Sequence, residues 1–489
     1  MTNLPEKTPT LANVGDTESA QDSNTDVGDA RVQANEKNGE TTSDDQYPTG
    51  MKLVLLSSAA LVSIFLIALD QTIVGTAIPR ITDEFKGLND VSWYAAAYFM
   101  TYGAAQPSAG KLYKYFDIKW IFLVSMLIFE VGSLLCGVAP NSKTLIVGRA
   151  IAGLAGFFFF HLPAAAAPPK VRLTQKLLHS DPVGFALIMG SITCFILGLQ
   201  YAGSTHPWNS SEVIGLLVGA FLIPAVLIAW EMWLGDYASM PPRLYKMRSL
   251  WAASAFQFFF LGAYIVLLYY LPVYFQSIKG TSPIQSGINN LPLVLAASVF
   301  TLVGGVVVMQ TGYAMPVMVS GSIVTTVALG LIYSMDVGTS SAKWIGYQCF
   351  VGIFMAFSIL HGLTVAQAGV GPEDLPAVTA NLLFYQTIGG AFSTSAGQAG
   401  FVNQLLKELP RTAPLVNPLL VLGTGASELH NVFPSDVLPG VLEAYMVGIK
   451  AAFAVALAFC GVAFLFSLLI PAKKLASHAT PEDAPVIMG

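Results

Sequence analysis

Charge is scarce in this sequence. Only 11% of its 489 residues are Asp, Glu, Lys or Arg, against about a quarter in soluble domains. With 54% hydrophobic residues and a mean hydropathy of +0.62, one aqueous core cannot hide the apolar surface. A soluble globular protein is excluded and an integral membrane protein is expected. Cysteine is scarce too. Cys136, Cys194, Cys349 and Cys460 all sit in apolar runs, at spacings that fit neither a metal site nor a disulfide framework. They read as small buried core residues. No nucleophile–histidine arrangement, phosphate loop after a strand or cluster of metal ligands is present. An enzyme, a cofactor, a metal and a nucleic-acid partner are therefore not expected. A channel filter signature is lacking as well. Large apolar residues are rare in residues 1–50, which hold ten acids and three Lys or Arg. That composition reads as a disordered acidic cytoplasmic tail. It contains no apolar leader region, so the first span is expected to act as the targeting signal.

Long apolar runs are what the sequence has in abundance. A helix needs about 20 apolar residues to cross a bilayer. Twelve segments qualify: 53–78, 91–112, 119–139, 144–162, 183–202, 210–234, 250–275, 286–309, 315–335, 344–367, 377–402 and 441–470. They are too long and too uniformly apolar for transmembrane strands. The expected fold is an all-α polytopic membrane helix bundle. With the N-terminus in the cytoplasm, short inside segments hold twelve Lys and Arg and outside segments seven, which favours both termini inside. The expected order is a shortened N-terminal helical half (51–162), a basic cytoplasmic loop (163–182) and further membrane helices that include the C-terminal half (183–402). An extracytoplasmic loop (403–440), a last span (441–470) and a cytoplasmic tail (471–489) follow. The loop 403–440 carries five prolines and is expected to form short helices on the outer face. Asn209 heads an Asn-Ser-Ser sequon in a predicted outside loop, a glycosylation candidate.

Three ionisable residues stand inside predicted spans: Asp70, Glu130 and Arg149. Each costs about 2.5–3.5 kcal/mol at the centre of a bilayer, so such groups usually face a wet path or each other. Counting 1.5 Å per residue from the predicted span ends puts all three at roughly 8–14 Å below the outer boundary. At one depth they can pair across the bundle, as a working site or as a structural ion pair. Buried amides form a second set: Gln71, Gln106, Gln257, Gln348, Gln367, Gln386 and Gln398, with His361 beside them. They either glue helices together or line a cavity. The stretch "GRAIAGLAG" places Gly148, Ala152, Gly153 and Gly156 along one helix, and "YQTIGGAFSTSAGQAG" does the same later. Both let helices approach closely.

"LDQTIVGTAIPRI", from Leu69 to Ile81, resembles the motif that closes the first span in the drug–proton antiporter group of the major facilitator superfamily, in its fourteen-span branch. "WYAAAYFMTYGAAQPSAGKLY", "VGRAIAGLAG", "YYLPVYFQSIKGTSPIQSGINNLP", "KWIGYQ" and "LPGVLEAY" extend the resemblance over residues 50–472, and the variant is similar to fungal toxin-efflux carriers. The resemblance implies efflux of a hydrophobic small molecule (toxin, drug or secondary metabolite) driven by proton entry, from a multi-pass protein of the plasma membrane or, in second place, of a vacuole or vesicle. It places Asp70 and Arg149 at coupling positions and Gln71 and Thr72 in the same motif. With Glu130 as a third coupling candidate, the expected cavity set is Gln71, Thr72, Gln106, Gln348, His361 and Gln386. The implied partners are that substrate, protons and the lipid bilayer.

Two departures stand out. "GKLYKYFDIKW" puts Lys114 where the family carries an acid of its cytoplasmic latch. And "GRAIAGLAG" runs straight into "FFFFHLPAAAAPPKVR", without the Gly-Pro-rich fifth span. The end of span 4, span 5 and most of span 6 are therefore expected to be missing, roughly sixty residues counted as two spans and their connections. Spans 4 and 6 both run outside to inside, so their fusion leaves the orientation of everything downstream unchanged. The alternative function is accordingly a non-transporting remnant, splice variant or receptor-like derivative of such a carrier.

Overall fold

The computed structural model describes residues 50–85, 90–156, 181–371 and 374–475. The acidic tail, most of the basic loop with the junction after Gly156, and the last fourteen residues lie outside the described residues. Twelve long helices coincide with the twelve predicted segments: α1 (Met51–Phe85), α2 (Val91–Tyr115), α3 (Ile118–Gly137), α4 (Ser142–Gly156), α5 (Pro182–Tyr201), α6 (Ser211–Leu234), α7 (Arg248–Ser277), α8 (Pro283–Thr311), α9 (Met315–Tyr333), α10 (Ser341–Ile359), α11 (Leu375–Thr412) and α12 (Leu438–Ser467). After Leu360, α10 is followed by a short helix, His361–Gln367. No strand occurs among the described residues.

Eight of these segments are long and apolar enough to cross a membrane by length and composition: α3, α5, α6, α7, α8, α9, α10 with its short continuation, and α12. Helix α1 contributes a shorter apolar stretch, Leu53–Ile67, α4 is short, and α2 and α11 carry more glycine and polar residues. The exposed apolar surface makes the same point. Phe221 and Trp233 on α6 are 70% and 76% exposed, and Leu302 and Met309 on α8 are 74% and 77% exposed. Large contiguous apolar surface of this kind is matched by lipid, not by water.

Local signals set the helix ends. Asp181 caps α5 by accepting the Gly184 N–H at 2.9 Å, with Pro182 in the first turn. Ser210 and Ser282 cap α6 and α8 through the N–H groups of Val213 and Gln285. Gly312 ends α8 with φ +73°, a backbone that favours glycine.

Two helix ends and the burial of the cysteines differ from the sequence reading. Helix α1 continues through Pro79 to Phe85, because a proline in a membrane helix removes one hydrogen bond that neighbouring groups can replace. Asp70 therefore sits near the middle of α1 rather than near one end. Helix α11 runs ten residues past the expected 402, to Thr412; two short helices, Pro418–Gly423 and Leu429–Val432, occupy the rest of that loop. All four cysteines are free, but only Cys460 is buried and the other three are half-buried.

Helices α2, α3 and α4 pack on one another, and α7, α11 and α12 form a second group, which α8, α9 and α10 extend. The α2–α11 contact joins the two groups, and the α5–α6 hairpin leans on α2 and α11. Two-thirds of the α7 spanning window is buried, against 11% for α6, so α7 is central and α6 peripheral. Glycine makes the closest approaches possible. A Cβ on Gly153 of α4 would lie 2.4 Å from the Tyr98 carbonyl of α2, and one on Gly389 of α11 would lie 1.9 Å from the Phe258 carbonyl of α7.

Candidate functional site

Arg149 is the largest fully buried side chain among the described residues, at 1% exposure. It sits on α4 between Gly148 and the small pair Ala152–Gly153, which bring α3 and α2 close enough to seal it. Its Nη1 donates to Asp70 Oδ2 on α1 at 2.6 Å and lies 3.4 Å from the Asp70 carbonyl. Its Nε donates to the Tyr94 carbonyl on α2 at 3.0 Å. The guanidinium carbon lies 4.4 Å from the centre of the Tyr98 ring, within cation–π range, and Tyr98 stacks on Tyr102 at 5.5 Å. One arginine thus ties α1, α2 and α4 with three different contacts.

The two partners differ in access. Asp70 is 18% exposed while Arg149 is sealed. The guanidinium is a fixed charge in proteins, held by Asp70 from α1 and by the Tyr94 carbonyl and Tyr98 ring from α2. Tyr269, on α7 in the other helix group, is close enough to interact electrostatically with both charges. Its hydroxyl has no hydrogen-bond partner among the described residues.

The third predicted charge does not join. Glu130 on α3 is exposed and makes no ion pair among the described residues, so of the three charges expected at one depth only Asp70 and Arg149 pair. The reason is rotational: α3 turns Phe129 and Gly132 into the bundle and leaves Glu130 and Val131 outward.

Gln71 and Thr72 belong to α1, but their side chains lie outside the described residues. The remaining amides mostly bridge helices. Gln106 on α2 donates to Thr387 Oγ1 on α11 at 3.1 Å. Gln348 on α10 donates to the Asn289 carbonyl on α8 at 3.0 Å. Gln257 donates to the Ile359 carbonyl, Gln398 accepts from Tyr270, and Gln367 donates to Thr379. His361 is buried against Gly304 of α8, with its Nε2 unpartnered among the described residues. Gln386 is half-buried on α11, and Asn209 is exposed in the α5–α6 turn. The structure thus brings Asp70 and Arg149 together and spreads the predicted cavity set over several helix interfaces.

Sequence reasoning missed Tyr269 and Glu231. Tyr269 is one aromatic in an aromatic-rich helix, and nothing local distinguishes it. Glu231, by contrast, stands as an acid in "AWEMWL" near the end of the apolar α6, which is a legible signal. It is 4% exposed, and its Oε2 accepts the Met240 N–H at 3.1 Å.

Comparison with known proteins agrees with this architecture. The sequence profile of the Major Facilitator Superfamily matches residues 60–394. The chain is 48% identical to the MFS-type transporter thnB of Trichoderma harzianum, covering 90% of this chain and 88% of that one. It is 39% identical to the probable efflux pump gsfJ of Penicillium aethiopicum, covering 90% and 91%. Among solved structures, a bacterial homologue of the human lysosomal transporter Spinster, inward-facing and occupied, superposes with a TM-score of 0.54 at 16% identity, over 86% of this chain and 97% of that one. One detail of the sequence alignments bears on chain length. The 48% alignment spans 511 positions but uses 90% of 489 residues, about 440, so about 71 positions face no residue of this chain. The same comparison with gsfJ leaves about 63 such positions, 503 less about 440.

Proposed function

The chain belongs to the major facilitator superfamily, and from that premise we propose that it is a secondary active transporter exporting a hydrophobic small molecule in exchange for protons. It is a multi-pass membrane protein of MFS transporter type; the proposal adds proton coupling, a hydrophobic cargo and placement in the plasma membrane. One observation carries it: an acid near the middle of one membrane helix bonds a sealed arginine of another. Intramembrane charges are retained where a path or a switch needs them. In this reading a proton on Asp70 loosens α1 from α4, and its release restores the clamp. Tyr269 of α7 interacts electrostatically with both charges, which supports a link from the pair to the second helix group. Gln106 and Thr387 bridge the same two groups at the α2–α11 contact.

The test is flux in proteoliposomes under an imposed pH gradient, with the aromatic dye rhodamine 6G as probe. The wild-type chain should accumulate dye with the gradient and stop when it is collapsed. Asp70→Asn should lose gradient dependence. Unchanged gradient-driven uptake in Asp70→Asn would refute the coupling role.

A second reading is favoured by the alignment lengths. About 60–70 unmatched positions correspond to about two spans with their connections. They support the inference that the end of the fourth span, the fifth and most of the sixth of a fourteen-span relative are absent. Transporters of this superfamily work by rocking one helix bundle against another, and a shortened first bundle could fold without moving cargo. In that case no gradient-dependent uptake occurs in wild type, and restoring the corresponding thnB segment after Gly156 brings it back.

A further inference from the structure

Toward the Thr412 end of α11, a cavity of about 640 Å³ opens between that helix and the α5–α6 hairpin. Its wall on α11 runs from Ala396 through Gly400 and Asn403 to Lys407, positions spaced by three or four that share one helix face. At 1.5 Å per residue that face is roughly 16 Å long. Toward the middle of α11 the wall is apolar, where Leu199 of α5 joins Ala396 and Gly400. Toward the helix end it is polar. Asn403 Nδ2 donates to the Ala202 carbonyl at 3.0 Å, and its Oδ1 accepts from Trp208 Nε1 at 3.3 Å. The α5–α6 turn is thereby fastened to α11, with the half-exposed Trp208 ring held in the wall. Gly203 lets the turn come this close: its φ is +73°, and a Cβ there would lie 1.7 Å from Asn403 Oδ1. Lys407 is exposed and makes no ion pair among the described residues, while the acid beside it, Glu408, is held by Arg411 at 3.1 Å. No carboxylate is among the described residues that line the cavity.

We propose that this groove holds a glycerophospholipid, with its phosphate on Lys407, its glycerol beside Trp208 and one acyl chain along Leu199, Ala396 and Gly400. Charge complementarity commits the polar end to a phosphate: the one charged group in the wall is a cation, and lysine meets phosphate as a point charge. The order of the groups commits the occupant to a lipid. Lysine and tryptophan are side chains that anchor at a membrane interface, and here they stand at the head of an apolar wall. A soluble anion leaves that wall in water, whereas an acyl chain covers it. Because Lys407 is exposed, its charge alone is screened by salt, and the apolar contact supplies the remaining affinity. The bound lipid bridges the seam that Asn403 already fastens between the hairpin and α11. The groove shares no lining residue with the Asp70–Arg149 pair, and its occupancy does not depend on transport.

Binding is read by native mass spectrometry of the full chain, released from detergent micelles and titrated with palmitoyl-oleoyl phosphatidylglycerol. Two controls divide the ligand: palmitoyl-oleoyl glycerol has the same chains without phosphate, and glycerol phosphate has the phosphate without chains. Lys407→Gln should weaken phosphatidylglycerol about fivefold, the scale of one lysine at an anionic lipid surface, and leave palmitoyl-oleoyl glycerol within about twofold. Lys407→Arg should restore the phospholipid to within about twofold of wild type. Lys343→Gln, at an exposed lysine near the start of α10, should change nothing. In the wild-type chain, phosphatidylglycerol should also slow acetylation of Lys407 by an N-hydroxysuccinimide ester, read by peptide mass, which needs no variant to fold. Wild-type affinity in Lys407→Gln, an equal loss in Lys343→Gln, or acetylation that the phospholipid does not slow overturns the proposal. Glycerol phosphate that protects Lys407 as well as the phospholipid does would make the occupant a soluble anion and overturn the lipid assignment. None of these measurements uses a pH gradient, so the site and the proton-coupling reading fall separately.

Discussion

Removing Asp70 should destabilise the protein more per atom changed than any other conservative substitution in the helices. The attraction across 2.6 Å is about 6 kcal/mol at an effective dielectric constant of ~20. Desolvation of the sealed guanidinium offsets much of that, so the pair itself contributes little net stability. Breaking it is different: Asp70→Asn leaves a cation at 1% exposure whose partners among the described residues are a neutral amide, the residue-70 and Tyr94 carbonyls and the Tyr98 ring. The expected loss is about 3–5 kcal/mol. Arg149→Met leaves an 18%-exposed carboxylate without its cation and removes the side-chain donor to the Tyr94 carbonyl, for about 2–3 kcal/mol. The double variant removes both charges together, so its loss should be smaller than the sum of the single losses by about 2 kcal/mol or more. The assay is equilibrium unfolding in mixed micelles, read by tryptophan fluorescence, for wild type and the three variants. A cycle that closes additively to within about 0.5 kcal/mol would show that the two side chains do not depend on one another, and the switch built on them would fall with it.

Three further substitutions probe the helices away from that pair. Gly389→Ala should cost about 1–3 kcal/mol in the same unfolding assay, because its new Cβ meets the Phe258 carbonyl at 1.9 Å and forces α7 and α11 apart; a change below ~0.5 kcal/mol would mean the helices are not so close. Gln106→Leu should cost about 1 kcal/mol by deleting the hydrogen bond to Thr387, and an unchanged unfolding curve would deny that bridge. Glu130→Gln should be silent to within about 0.5 kcal/mol and should leave gradient-driven dye uptake intact, since its side chain is exposed. A loss of coupling as large as that of Asp70→Asn would return Glu130 to the site.

How much of this was legible beforehand depends on the physics each residue obeys. Span positions follow from length and hydropathy, one-dimensional properties, and all twelve helices lie where the apolar runs predicted them. Depth along a helix is nearly as readable, but it relies on knowing the ends, and Pro79 misled because a membrane helix tolerates a proline that would end a soluble one. Rotation about the helix axis is what the sequence states least clearly in lipid. In water the polar face of a helix announces itself by periodicity; in a bilayer both faces are apolar, and one charge per span is too sparse a marker. That is why the sequence offers Asp70, Glu130 and Arg149 as possible partners without saying which of them meet, whereas in the structure Asp70 bonds Arg149 and Glu130 turns to the outside. The same argument explains Glu231. An acid three residues from the end of α6 looks like an interfacial group that snorkels to water. Only the chain reversal that folds Met240 back over it, and the approach of α7 and α11, bury it against aromatic rings. The charges worth attention in such a protein are therefore those whose neighbours on other helices are small or aromatic. Arg149 meets that condition through Gly153 and Tyr98, and Glu231 meets it through Tyr385 and Phe392, so burial at each is set by the partner helix rather than by its own.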